Sequence, residues 1–199
     1  INSPFSKIQS DLGVEGTGYV SIVFDDKLYL GTNQGLFWKP WKKEENSLGQ
    51  EKFKPVPDAQ GQVWSLNPIS NSVIVGQHTG ASYLKGESIE RFSNIEGTWK
   101  FVQLLLNPNL AIEGTYAGLY LYRNAASNNP NLEPDWKLEK KLEGFAESAR
   151  VIEQDSDGNI WVSHAYKGLF KISLNDSLNQ TKSISFYNTE NGLPSNLFV

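Results

Sequence analysis

Two histidines and one acidic turn are the residues of this chain whose types could bind a metal. His78 and His164 fall at equivalent places in two similar stretches of sequence, and imidazole is a common zinc ligand. No third ligand stands at a defined spacing from either histidine, so a polar role at a turn is the favoured interpretation. Residues 155–159, Asp-Ser-Asp-Gly-Asn, resemble the opening of a calcium loop but lack the bidentate Glu that closes it. The sequence therefore predicts no metal site and no cofactor.

Catalytic motifs are equally hard to find. There is no Cys, no Gly-x-Ser-x-Gly nucleophile motif, and no triad context for either histidine. A glycoside hydrolase or lyase would need two carboxylates across a cleft, and none of the 22 acidic residues stands out for this role. We therefore predict no catalytic residue and no enzymatic activity, with a carbohydrate-active enzyme kept as an alternative.

Aromatic and cationic residues are better candidates for binding a ligand. The chain has six Trp and eight Tyr, and large flat rings suit sugar contacts as well as packing between sheets. Trp64, Trp99 and Trp161 lie at predicted strand positions, although packing between sheets is the favoured interpretation for Trp161. Residues at turns and strand starts suit a ligand-facing rim, because loops on a rigid scaffold commonly carry binding. The predicted ligand-binding residues are Trp64, Tyr116, Arg150, His164 and Tyr166.

Charge and hydropathy exclude two classes of partner. The net charge of -4 and a pI near 5.3 argue against binding nucleic-acid phosphates. No apolar run approaches the roughly 18–20 residues of a membrane span, so this region is predicted to make no membrane contact.

A repeated pattern must position these residues. A short apolar strand, a polar hairpin, a second apolar strand and a glycine that leads into a third strand recur four times. This glycine falls at Gly35, Gly80, Gly118 and Gly168, a spacing typical of β-propeller blades, and in the first three repeats a further glycine stands four residues before it. Turn formers at 25–27, 107–109 and 155–159 predict the hairpins between the first two strands.

The predicted fold class is all-β, with about four four-stranded antiparallel repeats that act as β-propeller blades. The repeats span 19–62, 63–100, 101–149 and 150–182, and 183–199 starts a fifth, within one blade-array domain. Because leading and trailing segments compete for one place in a closed four-blade ring, we predict an arc of a larger propeller. Such an arc exposes strand edges and apolar blade faces, which predicts self-association.

The fourth repeat also carries a resemblance. Residues 187–196, Tyr-Asn-Thr-Glu-Asn-Gly-Leu-Pro-Ser-Asn, together with Asp-Gly-Asn-Ile-Trp-Val at 157–162, resemble the two-component-regulator propeller repeat. Such repeats build the periplasmic sensor regions of bacterial LuxR-type regulators and hybrid sensor kinases.

The resemblance implies a ligand-sensing region without catalysis, placed in the periplasm and joined to the remainder of a receptor chain. Its ligand would be a small molecule, with an oligosaccharide as the favoured class. A protein–protein interaction scaffold is the remaining alternative, because a propeller fold alone does not decide between binders and enzymes.

Overall fold

The computed structural model describes residue 8 and residues 10–41, 51–126 and 133–197. Sixteen strands make up most of these residues. The first sheet contains β1 (Gly18–Phe24), β2 (Lys27–Thr32), β3 (Gly35–Pro40) and β4 (Lys54–Gln60). The second contains β5 (Val63–Ile69), β6 (Ser72–Gln77), β7 (Gly80–Lys85) and β8 (Ser88–Ser93). The third contains β9 (Lys100–Leu104), β10 (Asn107–Thr115), β11 (Gly118–Asn124) and β12 (Trp136–Lys141). The fourth contains β13 (Val151–Gln154), β14 (Ile160–His164), β15 (Gly168–Leu174) and β16 (Thr181–Tyr187).

Each sheet is a simple antiparallel meander in which neighbours in sequence are neighbours in space. The inner strands β1, β5, β9 and β13 follow one another, each in contact with the next, as the first strands of propeller blades do. Within the described residues, no comparable contact joins β13 back to β1. The all-β, four-stranded blade architecture predicted from the sequence is therefore confirmed.

Three apolar clusters fill the spaces between consecutive blades. Tyr29 and Trp38 of the first blade pack against Val73 and Val75 of the second. Aromatic side chains dominate the space between the second and third blades, and aliphatic side chains dominate the space between the third and fourth. Since a single four-stranded sheet has no other way to cover both of its faces, stacking of the blades is what buries the core.

The first blade also has a covered outer face. Val14 from the segment that precedes β1 packs with Phe37 and Phe53 into a fourth small apolar cluster. Ser10–Leu12 and Thr189–Asn191 form short 3-10 helices, and no described helix is long and apolar enough to cross a membrane.

The hairpin turns follow the sequence in two of the three predicted places. Asp25 and Asp26 both have positive φ, 48° and 53°, which is the geometry of a two-residue type I′ turn. Residues 155–159 also form the predicted turn between β13 and β14.

The third predicted turn, at 107–109, is wrong. Leu105 and Leu106 make the turn, and β10 already begins at Asn107, where the ladder with β9 is irregular. Gln154 of the next blade accepts from the Leu105 backbone N–H at 3.0 Å and donates to the Gln103 carbonyl at 2.8 Å. Hydrogen bonds from the neighbouring blade therefore help to fix the position of this hairpin.

The last repeat boundary also differs from the predicted one. The sequence analysis ended the fourth repeat at 182 and assigned 183–199 to a fifth. In the structure, β16 pairs with β15 from Leu169↔Tyr187 to Leu174↔Thr181, so it completes the fourth sheet. The reason is that Ile184 belongs to the apolar cluster between the third and fourth blades. Residues 198–199 of the predicted fifth repeat lie outside the described residues.

Candidate functional site

One edge of the blade array gathers the starts of the inner strands and the turns between the second and third strands. The register shows why, because Val63 at the start of β5 pairs with Gln77 at the end of β6. The glycines that open the third strands, such as Gly80 and Gly118, have φ of 127° and 120° and so allow the tight turn at this edge. Side chains just before or after the start of each inner strand therefore come together along this edge.

Three aromatic rings from three consecutive blades form a continuous line there. Tyr19 and Trp64 have ring centroids 5.1 Å apart, and Trp64 and Trp99 have centroids 4.5 Å apart. Tyr19 is 45% exposed, and both indoles are partly exposed. Tilted rings at these separations attract one another, so the line is a stable surface.

Arg150 extends this line into the fourth blade. Its guanidinium carbon lies 5.1 Å from the ring centroid of Trp99, which is the geometry of a cation–π contact. The Trp99 indole N–H donates to the Ser148 hydroxyl at 3.1 Å, so the ring is fixed from the same loop. Arg150 itself is exposed. We call Tyr19, Trp64, Trp99, Tyr116 and Arg150 the aromatic rim.

Tyr116 closes the rim behind Trp99. Its ring meets Trp99 edge-on at 5.3 Å, and its hydroxyl lies 2.9 Å from Nδ1 of His78. Burial raises the pKa of Tyr116, and the nearby Trp64 indole partly offsets this effect. The same indole N–H is buried and has no acceptor in hydrogen-bond geometry among the described residues.

His164 and Tyr166 form a second group beside the rim. Nδ1 of His164 accepts from the Tyr166 backbone N–H at 3.1 Å, and its Nε2 lies 3.7 Å from Glu147. Lys167 donates to the same carboxylate at 2.7 Å. Glu147 stands in the loop that also carries Arg150, so the two groups share one loop. Within the described ranges, no three His, Asp or Glu side chains converge as a metal site would require.

The structure therefore brings three of the five predicted site residues into one place. Trp64, Tyr116 and Arg150 all belong to the aromatic rim, whereas His164 and Tyr166 lie next to it. Sequence reasoning had left Tyr19 and Trp99 out of the predicted set. A signal for both existed, because Tyr19, Trp64, Trp99 and Arg150 occupy the same strand-start position in the four repeats.

Trp161 does not join the rim. It stacks on Tyr187 at 5.7 Å, and its indole N–H donates to Asp155 at 2.8 Å. Strand alternation places it on the face of the fourth sheet that points away from the third blade, because its neighbours Ile160 and Val162 pack toward that blade. Trp161 therefore does not pack between the third and fourth blades. Packing against a further blade, which the sequence interpretation also covers, stays a prediction.

A cavity of about 550 Å³ lies at the opposite edge of the array. It is bordered by turns of the first two blades, including Asp25, Ser70 and Gly86, and by the ion pair of Lys85 with Glu133. None of the predicted site residues lines it.

Comparison with solved structures places this fold among bacterial extracellular domains. The extracellular domain of the one component system BT4673 from B. thetaiotaomicron superposes with a TM-score of 0.61 at 16% identity, over 98% of this chain and 25% of that one. That of the hybrid two component system BT3049 from the same organism gives 0.51 at 19% identity, over 73% and 18%. A second structure of the BT4673 extracellular domain gives 0.57 at 15% identity, over 89% and 23%. The chain has their fold.

These similarities concern the fold, since all identities are below one fifth. The chain spans about a quarter or less of the length of each of these domains. No protein-family model matches the chain, and no curated protein is significantly similar to it in sequence. The propeller fold that the repeat resemblance implied is confirmed.

Proposed function

We propose that this chain is a ligand-sensing region of a bacterial signal-transduction receptor and that the aromatic rim binds its ligand. One observation carries the proposal: three consecutive blades place Tyr19, Trp64 and Trp99 in a continuous line at one edge, with Arg150 at its end. Partly exposed rings in a row are costly on a surface with no partner, and such patches mark binding sites. The fold shared with extracellular domains of signalling systems supports the same role.

An oligosaccharide is the ligand class that this geometry suits best. The C–H faces of a sugar ring pack on flat aromatic rings, and spacings of 4.5–5.1 Å between rings give an extended platform for more than one residue of a chain. Arg150 adds donors for hydroxyl or carboxylate oxygens, and Tyr116 adds a hydroxyl. We expect the rim to bind its ligand without cleaving it, because the rim itself contains no carboxylate pair that could act as acid and base.

The receptor context is part of the same proposal. The chain would lie in the periplasm, and the remainder of the receptor chain would receive the ligand signal. Because the chain covers about a quarter of the BT4673 domain, further blades would complete its array. Signalling would then be a shift between two packings of blades or subunits, driven by the difference in ligand affinity between them.

For the four-blade array on its own, self-association is proposed at the outer face of the fourth blade, which a further blade would otherwise cover. Val151 is 49% exposed there, beside the stacked pair Trp161 and Tyr187. Light scattering across a dilution series should show a dimer or larger species that dissociates on dilution. A single monomeric mass at every concentration would contradict this part of the proposal.

The test of the ligand proposal is a thermal-shift screen with neutral and acidic oligosaccharides, coupled to product analysis by chromatography. Stabilisation without product supports sensing, because a ligand that binds only the native state raises its melting temperature. Turnover would support the enzyme alternative, and no shift with any member of the screen would contradict carbohydrate sensing.

Two matched variants connect any hit to the rim. Trp99→Phe removes the indole that contacts Trp64, Arg150 and Ser148, so we expect at least tenfold weaker binding by calorimetry. Trp161→Phe makes the same chemical change on the outer face of the fourth blade and should leave the affinity unchanged. Equal effects of the two substitutions would place the ligand elsewhere.

A further inference from the structure

Among the described residues, Glu113 is the one carboxylate-bearing side chain that is buried, and it occupies a position that is aliphatic in the other three blades. Glu113 on β10 is fully buried. It directly precedes Gly114, and the residues at the equivalent positions of the other second strands are Leu30, Val75 and Val162. Since those three blades fold with an aliphatic side chain here, the blade architecture does not need a carboxylate at this position. Another role has to explain it, because burying a carboxylate is costly.

Three hydroxyl groups satisfy this carboxylate. The Thr98 hydroxyl donates at 2.5 Å, the Tyr122 hydroxyl at 2.6 Å, and the Ser93 hydroxyl at 3.0 Å. Ser93 ends the outermost strand of the second blade, whereas Tyr122 belongs to the third blade. We call these four residues the Glu113 cluster. Within the described residues it contains no cation, so its hydrogen bonds are what stabilise the carboxylate.

The Glu113 cluster fixes the segment that carries the rim. Residues 93–99 connect the second blade to the third, and the cluster holds Ser93 at one end of this connection and Thr98 near the other. Trp99 follows directly, and its backbone N–H donates to the Gly114 carbonyl at 2.9 Å. Two adjacent hydrogen bonds therefore join the connection to β10. One runs from the Thr98 hydroxyl to Glu113, and the other from the Trp99 backbone N–H to the Gly114 carbonyl.

Tyr116 depends on the same connection. Its ring lies against Gly97, so closely that a Cβ atom there would overlap the ring carbons. The Gly97 backbone N–H donates to the His78 carbonyl at 2.8 Å, and the His78 ring meets the Tyr116 hydroxyl. A shift of residues 97–99 would therefore move both Trp99 and Tyr116.

We propose that Glu113 is a positioning residue of the aromatic rim, which sets the orientation of Trp99 and Tyr116 through Thr98 and Ser93. The inference rests on the proposed function for its biological meaning, but its geometry can be tested without a ligand. The probe is the Trp64–Trp99 pair itself, the one tryptophan pair in ring contact among the described residues. Two indoles this close give an exciton couplet in the far-ultraviolet circular dichroism spectrum, and its amplitude depends on their separation and angle.

The experiment records this couplet in the purified 199-residue chain and its variants. Trp64→Phe and Trp99→Phe should each abolish it, which assigns the signal. Glu113→Val, which introduces the residue found at this position in the second and fourth blades, should reduce the amplitude by more than half. Thr98→Val keeps the shape of the side chain and removes one hydrogen bond, and it should also reduce the amplitude. Glu113→Gln keeps an acceptor and should retain most of the signal.

Asp155→Asn is the matched control, because it alters a hydrogen-bonded carboxylate far from the rim and should leave the couplet unchanged. A full couplet in folded Glu113→Val and Thr98→Val proteins would overturn the proposal. If Glu113→Val does not fold, Thr98→Val decides the question alone. Failure of the oligosaccharide screen would leave this result standing, so the two proposals fail separately.

Discussion

Two carboxylates of this chain accept several hydrogen bonds each, and they differ in where their donors come from. Asp155 is satisfied by its own turn, through the backbone N–H groups of Asp157 and Asn159 and the Trp161 indole at 2.8 Å. Glu113 is satisfied by hydroxyl groups as many as 20 residues away and in two different blades. The first arrangement shapes a hairpin, and the second joins two blades.

Their surroundings move their acidities in opposite directions. Burial raises the pKa of Glu113, and the hydroxyl donors offset this only in part. The Trp161 indole and then the Asn159 side chain lower the pKa of Asp155 to about 2. The same functional group therefore stabilises a turn in one place. In the other it links two blades in the interior, where burial disfavours its charged form.

The largest difference between the two clusters should be in stability. Glu113→Ala should lower the free energy of unfolding by about 4 kcal/mol, because it leaves a cavity and removes the acceptor of three hydroxyl groups. Asp155→Ala should lower it by less than half as much, since water can reach the groups it exposes. Urea denaturation of both variants measures this difference. Equal losses would mean that position in the fold does not separate the two carboxylates.

Two glycines sharpen the comparison. Gly97 beside the Glu113 cluster and Gly158 in the Asp155 turn have nearly the same φ, 79° and 80°. Gly158→Ala should cost about 1 kcal/mol for the left-handed backbone. The added Cβ meets Cγ and Cδ1 of Leu106, but this side chain is exposed and can rotate away. Gly97→Ala should cost about 2 kcal/mol more, because its Cβ meets the Tyr116 ring near its attachment.

Thermal unfolding of the two alanine variants measures this difference. Gly61→Ala is the control, since a Cβ there meets nothing within 4 Å and reports the backbone cost alone. If Gly97→Ala were no more costly than Gly61→Ala, the packing of Tyr116 on Gly97 would be incorrect.

The two carboxylates should also give opposite dependences of stability on pH. The pKa of Glu113 is raised above its usual 4.5, so the native state holds a proton that the unfolded state releases. Stability from this group is present below pH 4.5 and is lost as pH rises through the native pKa. The pKa of Asp155 is lowered from 3.8 to about 2, so its contribution is present above pH 3.8 and is lost as pH falls toward 2.

Urea titrations at a series of pH values test this for the parent chain, Glu113→Gln and Asp155→Asn. In Glu113→Gln, the fall in unfolding free energy above pH 4.5 should be absent and the fall below pH 3.8 should remain. In Asp155→Asn, the reverse should hold. A Gln variant that follows the parent chain at every pH would show that Glu113 does not titrate differently in the two states.

The smallest expected effect concerns Asp155 alone. Trp161→Phe removes the main hydrogen bond to this carboxylate, so the pKa of Asp155 should rise from about 2 toward its usual 3.8. Carboxyl titration by nuclear magnetic resonance measures the shift. Lys171→Met is the comparison, because the ammonium lies 3.9 Å from Asp155 in a partly exposed pair and should matter less. A larger pKa shift of Asp155 in Lys171→Met than in Trp161→Phe would show that the ammonium group, and not the indole, is the main cause of its low pKa.

A feature of this structure was predictable from the sequence when the residues that form it lie close together along the chain. The Asp25 turn and the 155–159 turn were predictable, because the residues that shape each turn belong to it. The hairpin at Leu105 and Leu106 was not, because Gln154 of the next blade holds it. The aromatic rim was predicted in part: Trp64, Tyr116 and Arg150 were named individually. The strand-start position that Trp64, Trp99 and Arg150 share indicates that they are neighbours, whereas the contact of Trp99 with Tyr116, which stands in a turn, was not predictable.

The sequence alone determined the unit of this protein: four strands, a hairpin, a glycine that leads into the third strand, and a period suited to stacked sheets. These features are local, because alternation of side chains and positive φ are decided within a few residues. Only the tertiary structure decided which side chains meet across blades. Glu113 joins Ser93 to Tyr122, and Trp99 lies between Trp64 and Arg150, because stacking of sheets brings together residues that are 20 to 51 positions apart.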